Sequence, residues 1–206
     1  MKIYDMEGLP NPLRVRVALA EKGLKDRAIF AHVDVLKGEH KTPEFLAINP
    51  SGAVPVLELE DGRRLSECTA IIEYLDHAAG EPTLTGATPE ARGEIAMRQR
   101  KAEADVLDAV AAYFHHATPG LGPEVEGEQI PEWGEAQRRR AERAMEAHDE
   151  LLASREYLAG DAFSVADITL AAGLVFADFA KIEAPARLKN LAAWRERVTA
   201  RPSFAA

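Results

Sequence analysis

The spacing of apolar residues changes its period along the chain, and the changes mark out elements. Residues 2–6 and 29–35 alternate as strands do, while 13–22 between them repeat at helical spacing. Gly8 and Pro10 break the first strand. Asn11 stands where an N-cap belongs, Pro12 fits the first helical turn and Gly23 fits C′. Residues 43–48 make one helical turn, closed by Asn49-Pro50-Ser51-Gly52. Residues 54–60 alternate again, and Asp61-Gly62 predicts a hairpin turn into Arg64-Leu65. Ala70, Ile71, Tyr74 and Leu75 then set a helix running from Glu67 up to Gly80. The order βαβ, short helix, ββα implies a parallel pair with a right-handed crossover, followed by an antiparallel hairpin. A small mixed sheet with helices packed on it satisfies that order.

Gly80-Glu81-Pro82 through Gly86-Ala87-Thr88-Pro89 carries the composition of a linker. Everything beyond it reads as helix. A long amphipathic segment spans 90–117 and is ended by Thr118-Pro119-Gly120; a loop covers 120–127 and a second helix 133–152. Ser164-Val165-Ala166-Asp167 is a capping box ahead of an apolar run. A last helix over 188–200 stops before Pro202. The pattern therefore predicts an α/β domain over 1–79, a linker over 80–87 and an all-α domain over 88–206.

Composition narrows the function classes. With 47% hydrophobic and 29% charged residues among 206, the chain is globular rather than disordered. It carries 34 acidic against 25 basic residues, a formal charge of -9, and no basic run longer than Arg138-Arg139-Arg140. That field repels nucleic acid and anionic lipid, so neither is an expected partner. The apolar run at 168–177 is about half the length of a membrane span and predicts a buried helix. The N-terminus shows no apolar signal core, and a single cysteine, Cys68, excludes an internal disulfide or a thiolate zinc cluster. A cytoplasmic protein without metal is the expectation.

Several stretches carry a family likeness. Ala47-Ile48-Asn49-Pro50-x-Gly52-x-Val54-Pro55-Val56-Leu57, followed by Glu67-Cys68-Thr69-Ala70-Ile71, resembles the N-terminal domain of cytosolic glutathione transferases. Ser164 to Asp167 with its apolar helix resembles the capped core helix of their C-terminal domain. The likeness covers nearly the whole chain in the family's order. Tyr113-Phe114-His115-His116-Ala117-Thr118-Pro119-Gly120-Leu121-Gly122-Pro123-Glu124 and Lys37-Gly38-Glu39-His40-Lys41 resemble its fungal and bacterial branch. The resemblance implies the glutathione transferase fold, a thioredoxin-like domain joined to an all-α domain, and a homodimer.

It also implies roles. A proline entering a strand marks an edge or a cis turn. The family's version is a cis Val54-Pro55 bond that leaves the Val54 backbone to pair with the peptide of glutathione. Glu67 and the helix start at Cys68 would meet the ammonium and carboxylate of the γ-glutamyl end. Cys68 stands where most relatives have serine, a stronger donor. His40 and Lys41 would meet the glycyl carboxylate, with Lys37 a weaker carry-over.

The thiol-activating position departs from the family. Relatives offer a serine, cysteine or tyrosine there, whereas Glu7-Gly8-Leu9-Pro10-Asn11-Pro12 contains none, and Tyr4 belongs to the strand's packing. The remaining candidates are Asn11, the helix start beside it, and a water held by His115. His115 and His116 point about 100° apart on a helix and cannot share one ligand. The expected activity is attack of the glutathione thiolate on small hydrophobic electrophiles or peroxides. A non-catalytic module that binds glutathione or a hydrophobic ligand is the alternative on the same fold.

Overall fold

The computed structural model describes residues 1–123 and 125–205, and they divide into two units, Met1–Pro82 and Thr83–Ala205. Glu124, which closes the Tyr113 motif, and Ala206, at the end of the expected helical domain, lie outside the described residues.

The first unit runs β1 Lys2–Asp5, α1 Pro10–Glu21, β2 Ile29–His32, α2 Pro43–Leu46, β3 Val56–Glu58, β4 Arg64–Leu65 and α3 Cys68–Ala78. The sheet order is β2-β1-β3-β4, with β1 and β2 parallel and the other pairs antiparallel. This is the mixed sheet that the residue pattern predicts, in the thioredoxin-like arrangement that the resemblance implies. Side chains alternate across it. Tyr4, with Ala31 and Val56 opposite it, faces Phe45 of α2, whose ring meets the Tyr4 ring edge-on at 6.5 Å between centroids. Ile3 and Leu57 pair on the other face, fully buried. Two buried charges are compensated. Asp5 takes a two-pronged contact from Arg16 at 2.8 and 3.2 Å, and Asp76 pairs with Lys22 at 2.8 Å.

Three boundaries differ from the sequence pattern. β2 ends at His32 although Val33 and Val35 are buried, so their alternation reports burial without a ladder. β3 starts at Val56 because Pro55 has no N–H to give a ladder. α1 starts at Pro10 with Leu9 as N-cap, so Asn11 is the second helical residue and not the cap. Gly8, at φ 90°, turns the chain early enough for Pro10 to take the position that proline's fixed φ favours.

The second unit is helical: α4 Pro89–Ala102, α5 Asp108–Ala117, α6 Pro131–Leu152, α7 Val165–Phe179 and α8 Lys189–Thr199. Among the described residues it holds no strand, only an isolated bridge between Tyr157 and Gly160. The expected single helix over 90–117 is interrupted at Glu103–Leu107 by a π turn. Gly173 of α7 approaches that wide turn: a Cβ there would sit 3.1 Å from Val106 Cγ1 and 3.3 Å from the Leu107 nitrogen. The capping box forms as predicted. Asp167 accepts from the Ser164 nitrogen and hydroxyl, each at 3.0 Å, from the Leu158 nitrogen at 3.0 Å and from Trp194 Nε1 at 2.9 Å. Burial pushes its carboxyl pKa up against those four donors. Among the described residues no helix is long and apolar enough to cross a membrane.

Candidate functional site

In the first unit the loop before β3 is built around Asn49. Its buried side chain donates to the Ala53 carbonyl at 2.8 Å and accepts from the Ser51 nitrogen and hydroxyl at 3.3 and 3.0 Å. The Val54-Pro55 bond that follows is cis. The ladder to β1 begins only at Val56, so Val54 lies beyond it. Gly52, at φ 59°, has the His40 carbonyl 3.0 Å from where a Cβ would stand, and Lys41 Nζ lies 3.5 Å from the Gly52 carbonyl. The loop and the His40–Lys41 turn are thus held against each other.

His40 and Lys41 do different things. His40 is buried, its Nδ1 has no hydrogen-bond partner among the described residues, and burial followed by the Lys41 charge pushes its pKa down. The shift favours the neutral imidazole, and Lys41, exposed, carries the charge of the pair. Lys37 is drawn off to Asp34, Nζ to Oδ2 at 2.8 Å.

Glu67 caps α3 from φ 68°, ψ 120°, a left-handed conformation that few non-glycine residues adopt, and its side chain is exposed. Such strain is of order 1–3 kcal/mol and gathers at ligand sites. Cys68 is buried, and its thiol lies 3.4 Å from the Asn11 carbonyl. The thiol therefore ties α3 to the first turn of α1, which argues against its serving as a nucleophile or as donor to a ligand carboxylate.

That first turn is unusual chemically. Prolines hold helical positions one and three, so Asn11 alone brings an N–H there; the first helical bond runs from Leu13 to the Leu9 carbonyl at 3.0 Å. Asn11 is exposed, and its Oδ1 accepts from Arg14 Nη1 at 3.0 Å, which orients the carboxamide and leaves Nδ2 as the second donor. Tyr4 packs, as its place in the strand predicts: the ring is buried and the hydroxyl donates to Glu58 at 3.3 Å.

In the second unit His115 and His116 diverge and are both tied to the loop after α5. His115 Nδ1 lies 2.7 Å from Glu126 Oε1, and its ring meets Phe114 edge-on at 5.0 Å. His116 Nδ1 accepts from the Ile130 nitrogen at 3.1 Å, and Gln129 donates to the His115 and Thr118 carbonyls at 2.7 and 2.8 Å. Sequence reasoning missed Glu126. The one signal for it is the Gly120/Gly122 pair, which lets the loop double back.

A cis-proline loop on a thioredoxin-like sheet, followed along the chain by an all-helical unit, is the glutathione transferase architecture. A family model described as the glutathione S-transferase N-terminal domain matches residues 10–78, and one described as the C-terminal domain matches 75–202. Glutathione S-transferase 2 of Saccharomyces cerevisiae is 54% identical over 203 residues, covering 98% of this chain and 87% of that protein. The crystal structure of Gtt2 from Saccharomyces cerevisiae matches with a TM-score of 0.98 at 53% identity, over 100% of this chain and 99% of that one. That of a glutathione S-transferase domain-containing protein from Marinobacter aquaeolei VT8 gives 0.97 at 57%, over 99% and 100%. The chain belongs to the glutathione S-transferase family.

Proposed function

We propose that the chain is a transferase that activates the thiol of glutathione and joins it to small hydrophobic electrophiles, as a cytoplasmic homodimer in detoxification. The observation that carries the reading is the cis Val54-Pro55 bond with the His40–Lys41 turn latched to its loop. In this assignment the domain over 1–79 binds glutathione: the Val54 backbone meets its peptide, and Pro55 sets the turn. Glu67 and the helix start at Cys68 meet its γ-glutamyl end. Lys41 supplies charge, and His40 a neutral hydrogen-bonding group, for the glycyl carboxylate. The linker over 80–87 leads to the helical domain over 88–206.

Asn11 and His115 are the thiol-activating groups in this reading. A free thiol near pKa 8.5 is only a few per cent thiolate at pH 7, and lowering it by about two units takes roughly 2.7 kcal/mol. A helix terminus contributes about 0.3–1 kcal/mol, and here only one N–H of the first three positions is present. The load is shared between the Asn11 donors and a water on His115.

Turnover of a chloronitrobenzene with glutathione, against a buffer control, tests the activity. Asn11→Ala should raise the pH midpoint of that rate by about one unit or less, and Tyr4→Phe should leave it unchanged. A midpoint lost in Tyr4→Phe and kept in Asn11→Ala would return the chain to tyrosine activation. Glutathione binding with no turnover would make it a binding module. Light scattering at the monomer mass of 22.5 kDa would rule out a stable dimer.

A further inference from the structure

We infer that Glu126 is the positioning residue for His115: its carboxylate holds the imidazole proton on Nδ1 and so leaves Nε2 as the acceptor that serves the thiol. The inference rests on the reading that His115 takes part in thiol activation.

A carboxylate has only acceptors to offer, so the 2.7 Å contact between His115 Nδ1 and Glu126 Oε1 requires the hydrogen on Nδ1. The same oxygen accepts from the Leu121 nitrogen at 2.7 Å, which fixes the carboxylate from a second side. Glu126 is the hidden member of the pair, at 11% side-chain exposure against 39% for His115. The carboxylate is therefore withdrawn into the loop while the imidazole stays partly exposed.

The loop is shaped to admit that carboxylate. Its turn closes with the Glu126 nitrogen bonded to the Gly122 carbonyl at 2.9 Å. Gly120 sits at φ 56°, and a Cβ there would stand 2.1 Å from Glu126 Oε1 and 2.5 Å from Cδ. Only glycine leaves room for the acid at that point. Thr118 holds the near end, donating to the Phe114 carbonyl at 2.6 Å and accepting from the Gly120 nitrogen at 3.1 Å.

The neighbouring histidine is the internal contrast. His116 Nδ1 accepts from the Ile130 N–H, so as a neutral ring it carries its hydrogen on Nε2 and has no further acceptor nitrogen. The two adjacent rings are held in opposite tautomers, and only His115 presents a basic nitrogen. A carboxylate that orients an imidazole and fixes its tautomer is the logic of the acid in a hydrolase triad; here the ring would accept a proton or a hydrogen bond from a thiol or its water.

The test combines a spectroscopic readout with kinetics. Nitrogen-15 NMR of the full chain at a pH where His115 is neutral should show Nδ1 protonated and Nε2 bare. Glu126→Ala should move the proton to Nε2 and lower kcat roughly tenfold with KM for glutathione little changed. That is less than the ~10²–10⁴-fold worth of a positioned acid or base, because the ring itself stays. Glu126→Gln, which keeps an acceptor of the same shape, should retain the tautomer and most of kcat; Gly120→Ala should behave like Glu126→Ala. A tautomer unmoved in Glu126→Ala, or a moved tautomer with unchanged kcat, overturns the inference. If His115→Ala leaves kcat unchanged, the reading of His115 fails and the inference falls with it. If His115→Ala lowers kcat while Glu126→Ala and Glu126→Gln match wild type, the reading stands and only the role of Glu126 is lost.

Discussion

His148 should make the protein acid-sensitive by a calculable amount. It lies on α6, buried, and that burial pulls its pKa from 6.5 to about 4; nearby Asp105 opposes the shift, and Arg98 and Lys101 add to it. Because the folded value lies below the unfolded one, the unfolded chain binds more protons between them, and stability falls as pH falls through that window. Above about pH 7.5 the imidazole is neutral in both states and contributes nothing to the pH dependence. At about pH 5 the linkage amounts to about 2 kcal/mol, and below pH 4 it approaches about 3.4 kcal/mol. The assay is urea unfolding of wild type and His148→Leu at about pH 7.5 and about pH 5 and one protein concentration. The variant carries its own packing change at either pH, so that cost cancels from the pH difference. Wild type should lose about 2 kcal/mol more than the variant on acidification. Parallel losses would refute the argument, because they would mean His148 titrates alike in the folded and unfolded chains.

Two further outcomes follow from the buried polar groups and from the candidate site. Glu67→Ala should weaken glutathione binding more than His40→Ala in calorimetry, since it removes a full charge from a charge-assisted hydrogen bond to the ligand's ammonium. His40 is neutral and has Lys41 beside it, so an equal or inverted order would overturn the charge assignment. Asp167→Ala should cost about 4 kcal/mol in denaturant unfolding, because it strands the donors of Leu158, Ser164 and Trp194 in the core; a loss under about 1 kcal/mol would show that the cap is not structural.

The fold class was legible because its signals are local. Strand alternation, the Asp61-Gly62 turn and the Ser164–Asp167 box each lie within a few residues, and each appears in the structure. Misreadings arose where one signal had two uses. Val33 and Val35 are buried without belonging to the strand, and Asn11 looked like a cap because the residues on both sides of it are prolines that suit a helix start. The residues proposed to bind glutathione were suggested by a motif, whereas their division of labour was not. That His40 is neutral depends on its burial, and that the Cys68 thiol turns to Asn11 depends on a contact 57 residues away in sequence. Glu126 was invisible for a similar reason: its partner lies eleven residues back, across a loop whose path depends on Gly120 and Gly122.

The π turn at Glu103–Leu107 separates chain length from aim. Ile95 and Phe114 are both buried and stand nineteen residues apart, whereas five turns of regular helix take about 18. The wide turn takes up the surplus residue, so the buried stripe continues unbroken from α4 into α5. Removing one residue inside 103–107 would tighten the turn to ordinary pitch and leave His115 facing as it does. One residue added between 108 and 115 has no such outlet; it would swing the imidazole about 100° around the helix and away from Glu126. One residue fewer is absorbed on one side of Asp108, whereas one more on the other side turns His115 from its partner.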